Sequence, residues 1–453
     1  MTSQLLSVSA TGRGLVSRRE PGRRHLPLII ASLLLLGACQ SQLMLMPTPE
    51  VLKDEQFNLF EMNPEPMTSN AVDVLFATTR EADDDGRTFF TGRPGKRLRL
   101  GYAEVRIGEE NLNLFELIRQ STTAERTEKF AWHLLDSHTL STIDRPSTLD
   151  ATPEALPEGM RPYIDALNRY IQSNPIRELT IYVHGANNTY YWSVAQAAQF
   201  QYFTGDNAMV LAFAWPSPGS IWGYGRDKRR ADAAATDLAY LIEILAGHSV
   251  ATKINLLAYS AGGRVVGGAL AQLSERHSDP KELRIGQVYL TQSDQPLIDF
   301  VTTLPRFFPL VEGLTVTAAA GDPVLSMARI TDRKLRLGAV GEGDGIALDV
   351  SPELWQQVVA IVNSDRMFLI DLRNVPQRNY RFSHGAWYES PWVSTDVMAC
   401  LLGALSGEER GLVPQKVNDI RVWTFPDDYV ERLKSNLLAR RARQSTPPAL
   451  ETP

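Results

Sequence analysis

The feature of this chain best suited to chemistry is a serine between an apolar run and a series of small residues. Ser260 lies in Lys253–Gly268, which reads KINLLAYSAGGRVVGG. The apolar residues from Ile254 to Ala258 are typical of a strand buried on both faces, and the small residues after Ser260 predict a tight turn into a helix. Such a turn raises the hydroxyl above the sheet and directs N–H groups of the helix N-terminus at an oxyanion. The pattern therefore predicts Ser260 as the nucleophile of an acyl transfer.

The motif around this serine departs from its usual form at one position. The usual pattern is G-x-S-x-G, and this chain has Ala258-Tyr259-Ser260-Ala261-Gly262, with alanine in place of the first glycine. The alternative interpretation is that Ser260 only caps the helix of an ordinary strand–helix turn. The rest of the chain must therefore show whether the serine has partners.

His384 is the predicted general base. A serine hydroxyl needs a base within hydrogen-bond reach, and the base needs an acid that fixes its tautomer. In enzymes with this kind of turn, the order along the chain is serine, acid, histidine. Of the seven histidines only His277 and His384 follow Ser260, and His277 falls at the far end of the helix that starts there. His384 follows the strand-like run Met367–Leu372, where a base from a late strand is expected.

Two aspartates are candidates for the acid. Asp322 ends the run LTVTAAAGD, the second predicted strand after Ser260, and Pro323 follows it. Asp294 ends VYLTQSD, the first such strand. Asp322 is the favoured acid and Asp294 is the alternative. A third interpretation is that either aspartate only caps the next helix.

The developing oxyanion needs two N–H donors. One is expected from Ala261, the residue after the nucleophile, and the other from a loop after an earlier strand. The segment His184-Gly185-Ala186 fits this second place because glycine allows a sharp turn. The N–H of Ala186 is therefore the predicted second donor, with Asn187 as the alternative. His184 itself is predicted to be a structural hydrogen-bonding residue.

Strands and helices alternate from residue 179 onward. Because a connection between parallel strands needs a helix, this alternation predicts an α/β fold, a mostly parallel sheet with helices on both faces. The predicted strands are Leu179–Val183, Met209–Ala214, Ile254–Ala258, Ile285–Leu290, Leu314–Ala319 and Met367–Leu372. Active sites of such sheets lie at the carboxyl ends of the strands. The residues found at such ends are His184, Trp215, Ser260, Asp294 and Asp322. Two earlier runs, 72–80 and 98–107, predict a hairpin at the sheet edge.

These motifs together resemble those of a known family. In chain order they read FATTR, YVHGANN, FAWPS, LLAYSAGG, YLTQSD, AAAGD and SHGAW, over Val72–Leu405. The chain thereby resembles a bacterial branch of the α/β-hydrolase superfamily known mainly as proteins of unknown function, some of them exported or lipidated. The resemblance implies the α/β-hydrolase fold, a triad at Ser260, Asp322 and His384, and hydrolysis of the esterase type. It implies no particular substrate.

We therefore expect a serine hydrolase that cleaves a small-molecule acyl ester through an acyl-enzyme. Two alternatives stay open: a catalytically inactive envelope lipoprotein that acts as a binding scaffold, and a thioesterase, amidase or peptidase with the same triad. Several aromatic residues are candidates either for the wall of an apolar acyl pocket or for core positions: Tyr190, Tyr191, Trp192, Trp215, Trp222 and Tyr224. The chain has no H-E-x-x-H motif, no paired cysteines and no phosphate-binding loop, so no metal or cofactor is expected.

Residues 1–38 are predicted to be a signal peptide. Five arginines precede the apolar run Leu26–Ala38, which is too short to span a bilayer. The run ends Leu36-Gly37-Ala38-Cys39, which resembles the lipobox of bacterial lipoproteins and implies lipidation of Cys39; a plain N-terminal anchor is the alternative. Gln40 follows the cysteine in the place where an aspartate would indicate retention in the inner membrane, so it favours the outer membrane. The expected location is the cell envelope, with a lipid anchor in the outer membrane and the protein facing the periplasm.

The remaining chain divides into three predicted parts. Residues 39–70 are rich in proline and predict a tether. Residues 71–425 are the predicted hydrolase domain, with 108–160 as a candidate insertion, and 426–453 predict a basic C-terminal helix and a disordered tail. Without its leader the chain has a net charge of about −10, which argues against a nucleic-acid partner.

Overall fold

The computed structural model describes most of the chain after residue 41. The described residues are 42–57, 59–61, 69–83, 88–123, 126, 128–145, 155–217, 224–320, 322–332, 334–339, 349–376 and 383–445. The predicted signal peptide, Cys39 and residues 446–453 of the predicted tail lie outside this part. Lipidation and the disordered tail therefore stay predictions.

One sheet of eleven strands runs through the described part of the chain. In chain order the strands are β1 (Ala71–Ala82), β2 (Phe90–Ile107), β3 (Trp132–Asp144), β4 (Glu178–Val183), β5 (Met209–Ala214), β6 (Lys253–Tyr259), β7 (Ile285–Thr291), β8 (Val311–Ala318), β9 (Met367–Asp371), β10 (Val413–Val417) and β11 (Ile420–Thr424). Across the sheet their order is β10-β11-β9-β8-β7-β6-β4-β5-β1-β2-β3. Neighbouring strands from β11 to β1 are parallel, and β10, β2 and β3 add antiparallel pairs at the edges. The predicted mostly parallel sheet is confirmed.

Helices cover both faces of the sheet. They are α1 (Leu114–Ser121), α2 (Arg161–Ser173), α3 (Tyr190–Phe203), α4 (Tyr224–His248), α5 (Ala261–Ser274), α6 (Pro280–Leu283), α7 (Leu297–Phe307), α8 (Pro323–Asp332), α9 (Pro352–Val362), α10 (Ala386–Glu389), α11 (Pro391–Gly403) and α12 (Tyr429–Ser445). Successive residues of a strand point to opposite faces. Ile181 and Val183 of β4 therefore belong to the core that contains α4 and α5, whereas Tyr182 belongs to the core that contains α3 and α11.

The strand register brings the carboxyl ends of the central strands to one level. Val183 of β4 lies opposite Phe213 of β5 and Ala258 of β6. Tyr259 of β6 lies opposite Thr291 of β7. Adjacent strands are about 5 Å apart, so the loops that follow these strands start close together. This shared edge is where the site residues must meet.

Residues 108–160, predicted as a candidate insertion, extend the sheet. They contain α1 and β3, and β3 pairs with β2 from Trp132 opposite Ile107 to Asp144 opposite Arg97. The strand was not predicted because its sequence, WHLLDSHTLSTID, is polar and only half-buried at the sheet edge. The hairpin predicted from the two earlier runs is confirmed as β1 and β2.

The predicted tether is wrong for residues 42–57, which pack against the domain. The backbones of Leu43 and Leu45 form hydrogen bonds of 2.8 and 2.7 Å with residues 130–132, beside the start of β3. The buried apolar side chains of this segment are Leu43, Leu45, Met46, Leu52 and Phe57. Its prolines exclude a long helix, but an extended segment still buries apolar side chains and stays bound.

The predicted basic C-terminal helix is α12, and one of its faces is docked on the domain. Tyr429 and Leu433 are buried, and the ring of Tyr429 lies 5.2 Å from that of Trp392. The preceding hairpin of β10 and β11 was not predicted; it joins the sheet because β11 pairs with β9. In the part of the chain that the structure describes, no helix has the length and apolar character needed to cross a membrane.

Candidate active site

Ser260 occupies a strained turn between β6 and α5. Its backbone angles are φ 53° and ψ −119°, which an L-residue rarely adopts. A residue held in such a region costs on the order of 1–3 kcal/mol and persists only where the surrounding structure requires it. The residue is 7% exposed and lies at the carboxyl edge of the sheet. This is the geometry expected of a nucleophile at the start of a helix.

The small residues after the serine are required by close approach of other segments. A Cβ on Gly262 would lie 2.2 Å from the carbonyl oxygen of Val183, and a Cβ on Gly263 would lie 2.2 Å from Oγ of Ser293. No side chain fits at either position unless a neighbour moves. The alanine that replaces the first glycine of the motif is different, because Ala258 is fully buried inside β6, before the turn. The departure from the motif therefore leaves the turn intact.

A chain of hydrogen bonds joins the three side chains that the sequence selected. Nε2 of His384 lies 2.9 Å from Oγ of Ser260, and Nδ1 lies 2.8 Å from Oδ2 of Asp322. An ionised carboxylate only accepts hydrogen bonds, so Nδ1 carries the proton and Nε2 is left to accept from the serine hydroxyl. All three side chains are buried. The structure thus brings together residues 124 and 62 positions apart in the chain.

The second oxygen of Asp322 fixes the orientation of its carboxylate. Oδ1 accepts hydrogen bonds from the N–H groups of Val324 at 2.9 Å and Leu325 at 3.1 Å, in the first turn of α8. Asp322 therefore caps this helix and faces His384 at the same time. The imidazole thus has a rigid acceptor.

Asp294, the alternative acid, has a different partner. Its Oδ1 lies 3.1 Å from Nε of the fully buried Arg336. Its backbone N–H donates to the carbonyl oxygen of Ser260 at 2.9 Å. The carboxylate of Asp294 therefore takes part in an ion pair, while its backbone supports the turn. Sequence patterns gave no sign of the pairing with Arg336.

His277 lies at the opposite end of α5, as predicted. Its ring nitrogens lie 2.6 Å from Glu282 and 2.9 Å from Glu243. This histidine therefore pairs with surface and helix carboxylates and takes no part in the cluster around Ser260.

The two backbone N–H groups predicted to receive the oxyanion are those of Ala261 and Ala186. Ala261 is the first residue of α5, and its N–H has no intrahelical partner. Ala186 lies in the loop after β4, and no hydrogen bond among the described residues uses its N–H. A Cβ on Gly185 would lie 3.1 Å from Cβ of Ser260, so this loop runs directly alongside the nucleophile.

A tyrosine that sequence analysis did not select packs on the imidazole, and a second tyrosine packs on the first. The ring of Tyr259 lies 5.3 Å from that of His384 and 5.7 Å from that of Tyr388. Burial raises the pKa of Tyr388 to about 12, so its phenol stays neutral. Burial also raises the pKa of the neighbouring Glu389. Tyr259 occupies the variable position just before the nucleophile in the motif, which was the one available signal.

Among the described aromatic residues considered for an acyl pocket, two are core residues and two are only partly buried. Tyr190 is buried against Phe76 and Phe90. Trp215 is buried and stacks on His184. Trp222 and the side chain of Tyr224 lie outside the described residues. The described residues contain no group of three or more His, Cys, Asp or Glu side chains that could hold a metal ion.

A parallel sheet with a serine on a strained strand–helix turn at its carboxyl edge defines an α/β-hydrolase. A family model described as alpha/beta hydrolase of unknown function (DUF900) matches residues 163–403, and the chain belongs to this family. The matched range contains Ala186, Ser260, Asp322 and His384. The predicted resemblance to a branch of unknown function is confirmed.

One curated relative is an uncharacterized protein, alr1448, of Nostoc sp. It is 25% identical over 185 residues, which cover 34% of this chain and 47% of the relative. The chain therefore aligns with about half the length of this relative.

Proposed function

We propose that the protein is a serine hydrolase that cleaves carboxylic esters, with Ser260 as nucleophile, His384 as general base and Asp322 as the acid. The observation that carries this proposal is the unbroken chain of hydrogen bonds of 2.9 and 2.8 Å from Oγ of Ser260 to Oδ2 of Asp322. Such a chain is what a serine needs to become nucleophilic near neutral pH.

The reaction proceeds in two halves. His384 takes the proton of the Ser260 hydroxyl through Nε2 while Oγ attacks the ester carbonyl, and the N–H groups of Ala261 and Ala186 receive the oxyanion. When the tetrahedral intermediate collapses, His384 gives this proton to the leaving alcohol and an acyl-enzyme remains. Water then attacks the acyl carbonyl with His384 as base again, which releases the acid and restores Ser260. Asp322 stabilises the imidazolium in both halves.

The strain at Ser260 favours an enzyme over an inactive binding scaffold. A left-handed serine costs on the order of 1–3 kcal/mol, and such strain concentrates at functional sites. The buried Asp322–His384 pair also costs desolvation that an inactive fold has no reason to keep. Thioester or amide cleavage would use the same steps, so the acyl substrate must be found by assay.

The proposal is tested with a panel of p-nitrophenyl esters of short and long acyl chains. We expect turnover by the wild-type protein and, for Ser260→Ala, a loss of about 10³-fold or more in kcat. Ser274→Ala is the matched control, because Ser274 lies at the other end of α5 and only donates to a backbone carbonyl. Turnover by Ser260→Ala at the wild-type rate would exclude Ser260 as nucleophile. No turnover of esters, thioesters or amides by the wild type would support the scaffold instead.

We further propose that Cys39 is lipidated and that the protein is held at the outer membrane, facing the periplasm. The support is the sequence Leu36-Gly37-Ala38-Cys39 after an apolar run. Metabolic labelling with a palmitate analogue is expected to mark the wild type and Cys400→Ser, but not Cys39→Ser. Equal labelling of the Cys39→Ser variant would contradict the lipobox.

A further inference from the structure

A buried cluster outside the proposed triad holds the loop that carries Ala186. It consists of Arg80 from β1, His184 at the end of β4, and Trp215 at the end of β5, all buried. The indole of Trp215 stacks on the imidazole of His184 with ring centroids 5.0 Å apart and an angle of 6°. The indole N–H also donates to the backbone carbonyl of His184 at 2.8 Å. Both the ring and the backbone of His184 are therefore fixed.

The surroundings of the His184 ring favour one of its two neutral tautomers. Nδ1 lies 2.7 Å from the carbonyl oxygen of Gly185; Nε2 lies 3.1 Å from the carbonyl oxygen of Trp215 and 3.4 Å from Nη2 of Arg80. Burial first, and then the charge of Arg80, lower the pKa of His184 to about 3, so the ring is neutral and has one N–H. Each ring nitrogen thus faces one carbonyl oxygen, but the contact of Nδ1 with Gly185 is the shorter one, and the guanidinium, which only donates, faces Nε2. Both observations favour the tautomer with the proton on Nδ1, which donates to Gly185.

This hydrogen bond sets the direction of the next N–H. In a trans peptide the carbonyl of Gly185 and the N–H of Ala186 point to opposite sides of the chain. Because His184 holds the carbonyl on its own side, the N–H of Ala186 is turned away from the ring. Gly185 itself runs alongside Ser260, with only 3.1 Å between the Cβ of Ser260 and the position that a Cβ on Gly185 would take.

The guanidinium of Arg80 contacts both ends of the same loop, at His184 and at Asn188. Its Nη2 donates to the carbonyl oxygen of Asn188 at 2.7 Å and faces His184, and its Nη1 reaches the carbonyl oxygen of Thr91 at 3.3 Å. These are contacts of one planar fork with several acceptors, which the single ammonium of a lysine cannot reproduce. The residue comes from β1, more than a hundred positions before the loop that it holds.

We propose that Arg80 is a positioning residue for the loop that binds the oxyanion. Its guanidinium faces Nε2 of His184 and binds the carbonyl of Asn188, which keeps the His184–Gly185 hydrogen bond in place. That hydrogen bond in turn directs the N–H of Ala186 at the substrate oxyanion. This inference rests on the hydrolase function proposed above. It assigns to FATTR, the first motif of the family resemblance, a role in transition-state binding.

The test measures ground-state and transition-state binding separately. For Arg80→Lys we expect kcat to fall about tenfold or more while KM changes less than about threefold, because an oxyanion donor acts in the transition state. Binding of an aryl trifluoromethyl ketone, whose adduct with serine places an oxyanion in the same position, should weaken by a similar factor. Arg93→Lys is the matched control, because Arg93 forms an exposed ion pair with Glu81 on the neighbouring strands. It should keep wild-type values.

A second pair of variants covers the case in which Arg80→Lys does not fold. His184→Asn keeps an N–H donor near the place of Nδ1, whereas His184→Gln moves its donor to the place of Nε2. We expect the asparagine variant to retain more kcat than the glutamine variant. Wild-type kcat and ketone affinity in Arg80→Lys, or equal kcat in the two His184 variants, would overturn the role of this cluster. If the wild type itself neither turns over esters nor binds the ketone, the hydrolase function fails and this role fails with it.

Discussion

The backbone N–H of Asp294 donates to the carbonyl oxygen of Ser260 at 2.9 Å, so the alternative acid is bonded to the nucleophile's own backbone. Its carboxylate pairs with Arg336, whereas Asp322 faces His384. The two aspartates therefore have separable roles. One supports the turn and the other orients the proposed base.

This separation predicts different defects for two matched substitutions. Asp322→Asn should lower kcat about 10²- to 10⁴-fold with little change in KM, because an amide in this place can donate to His384 and favour the wrong tautomer. Asp294→Asn should instead lower the stability, because it leaves the buried guanidinium of Arg336 without its carboxylate. Steady-state kinetics and urea unfolding of both variants check this. A larger kcat loss in Asp294→Asn than in Asp322→Asn would reverse the assignment.

The backbone of β4 approaches Gly262 so closely that we expect alanine not to be tolerated there. Its Cβ would lie 2.2 Å from the backbone carbonyl of Val183, so β4 or α5 must move, at a cost of about 1–3 kcal/mol of stability. Gly247→Ala is the control, since a Cβ there meets nothing within 4 Å and lies in α4. Thermal denaturation should show a lower Tm for Gly262→Ala and an unchanged or higher Tm for Gly247→Ala. Equal Tm values would contradict the contact.

Because His184 is neutral and buried, we expect it to contribute to the loss of stability of the folded protein at acidic pH. Burial and Arg80 lower its folded-state pKa from 6.5 to about 3, so between these values the unfolded chain binds one more proton than the folded chain. The contribution of His184 to the free energy of unfolding is therefore complete above pH 6.5. Below that pH it decreases by about 1.4 kcal/mol per pH unit until about pH 3. Urea unfolding of His184→Asn between pH 5 and 7 should show a shallower loss than the wild type. The same slope in both proteins would contradict a neutral, buried imidazole.

A fully buried ion pair marks the position at which we expect a substitution in the C-terminal part of the domain to reduce stability most. Asp396 of α11 pairs with Arg410, whose Nε lies 2.8 Å from Oδ1, and it also accepts from the hydroxyl of Tyr289 at 2.7 Å. Removing one charge leaves the other buried without a counter-ion, so Asp396→Asn should cost about 3–5 kcal/mol of stability. The double variant Asp396→Leu/Arg410→Met should recover part of that loss. Equal stability of Asp396→Asn and the wild type, by chemical denaturation, would refute the prediction.

The central strands could be predicted because parallel strands buried on both faces are continuous apolar runs. The predicted and observed bounds of β5 coincide, those of β4 and β7 differ by one residue at one end, and those of β6 differ by one residue at each end. The edge strand β3 and the docked segment 42–57 could not be predicted in this way, since their polar or proline-rich sequences carry no clear period. Their structure depends on partners far along the chain.

Part of the candidate site could also be predicted, because its chemistry restricts the order of residues along the chain. That order selects His384 and leaves Asp322 and Asp294 as the candidates for the acid. What it cannot show is which partners decide between the aspartates, because Arg336 and the first turn of α8 become neighbours only in the fold. The contacts of Arg80 with the loop after β4 are equally invisible in sequence.

The most direct test of the proposed chemistry is a fluorophosphonate probe followed by mass spectrometry of the digested protein. Because the probe reacts with a serine activated by its neighbouring base, we expect one adduct, on the peptide that contains Ser260, and its loss in Ser260→Ala and His384→Ala. An adduct on a different serine, or undiminished labelling of the folded Ser260→Ala protein, would contradict the account.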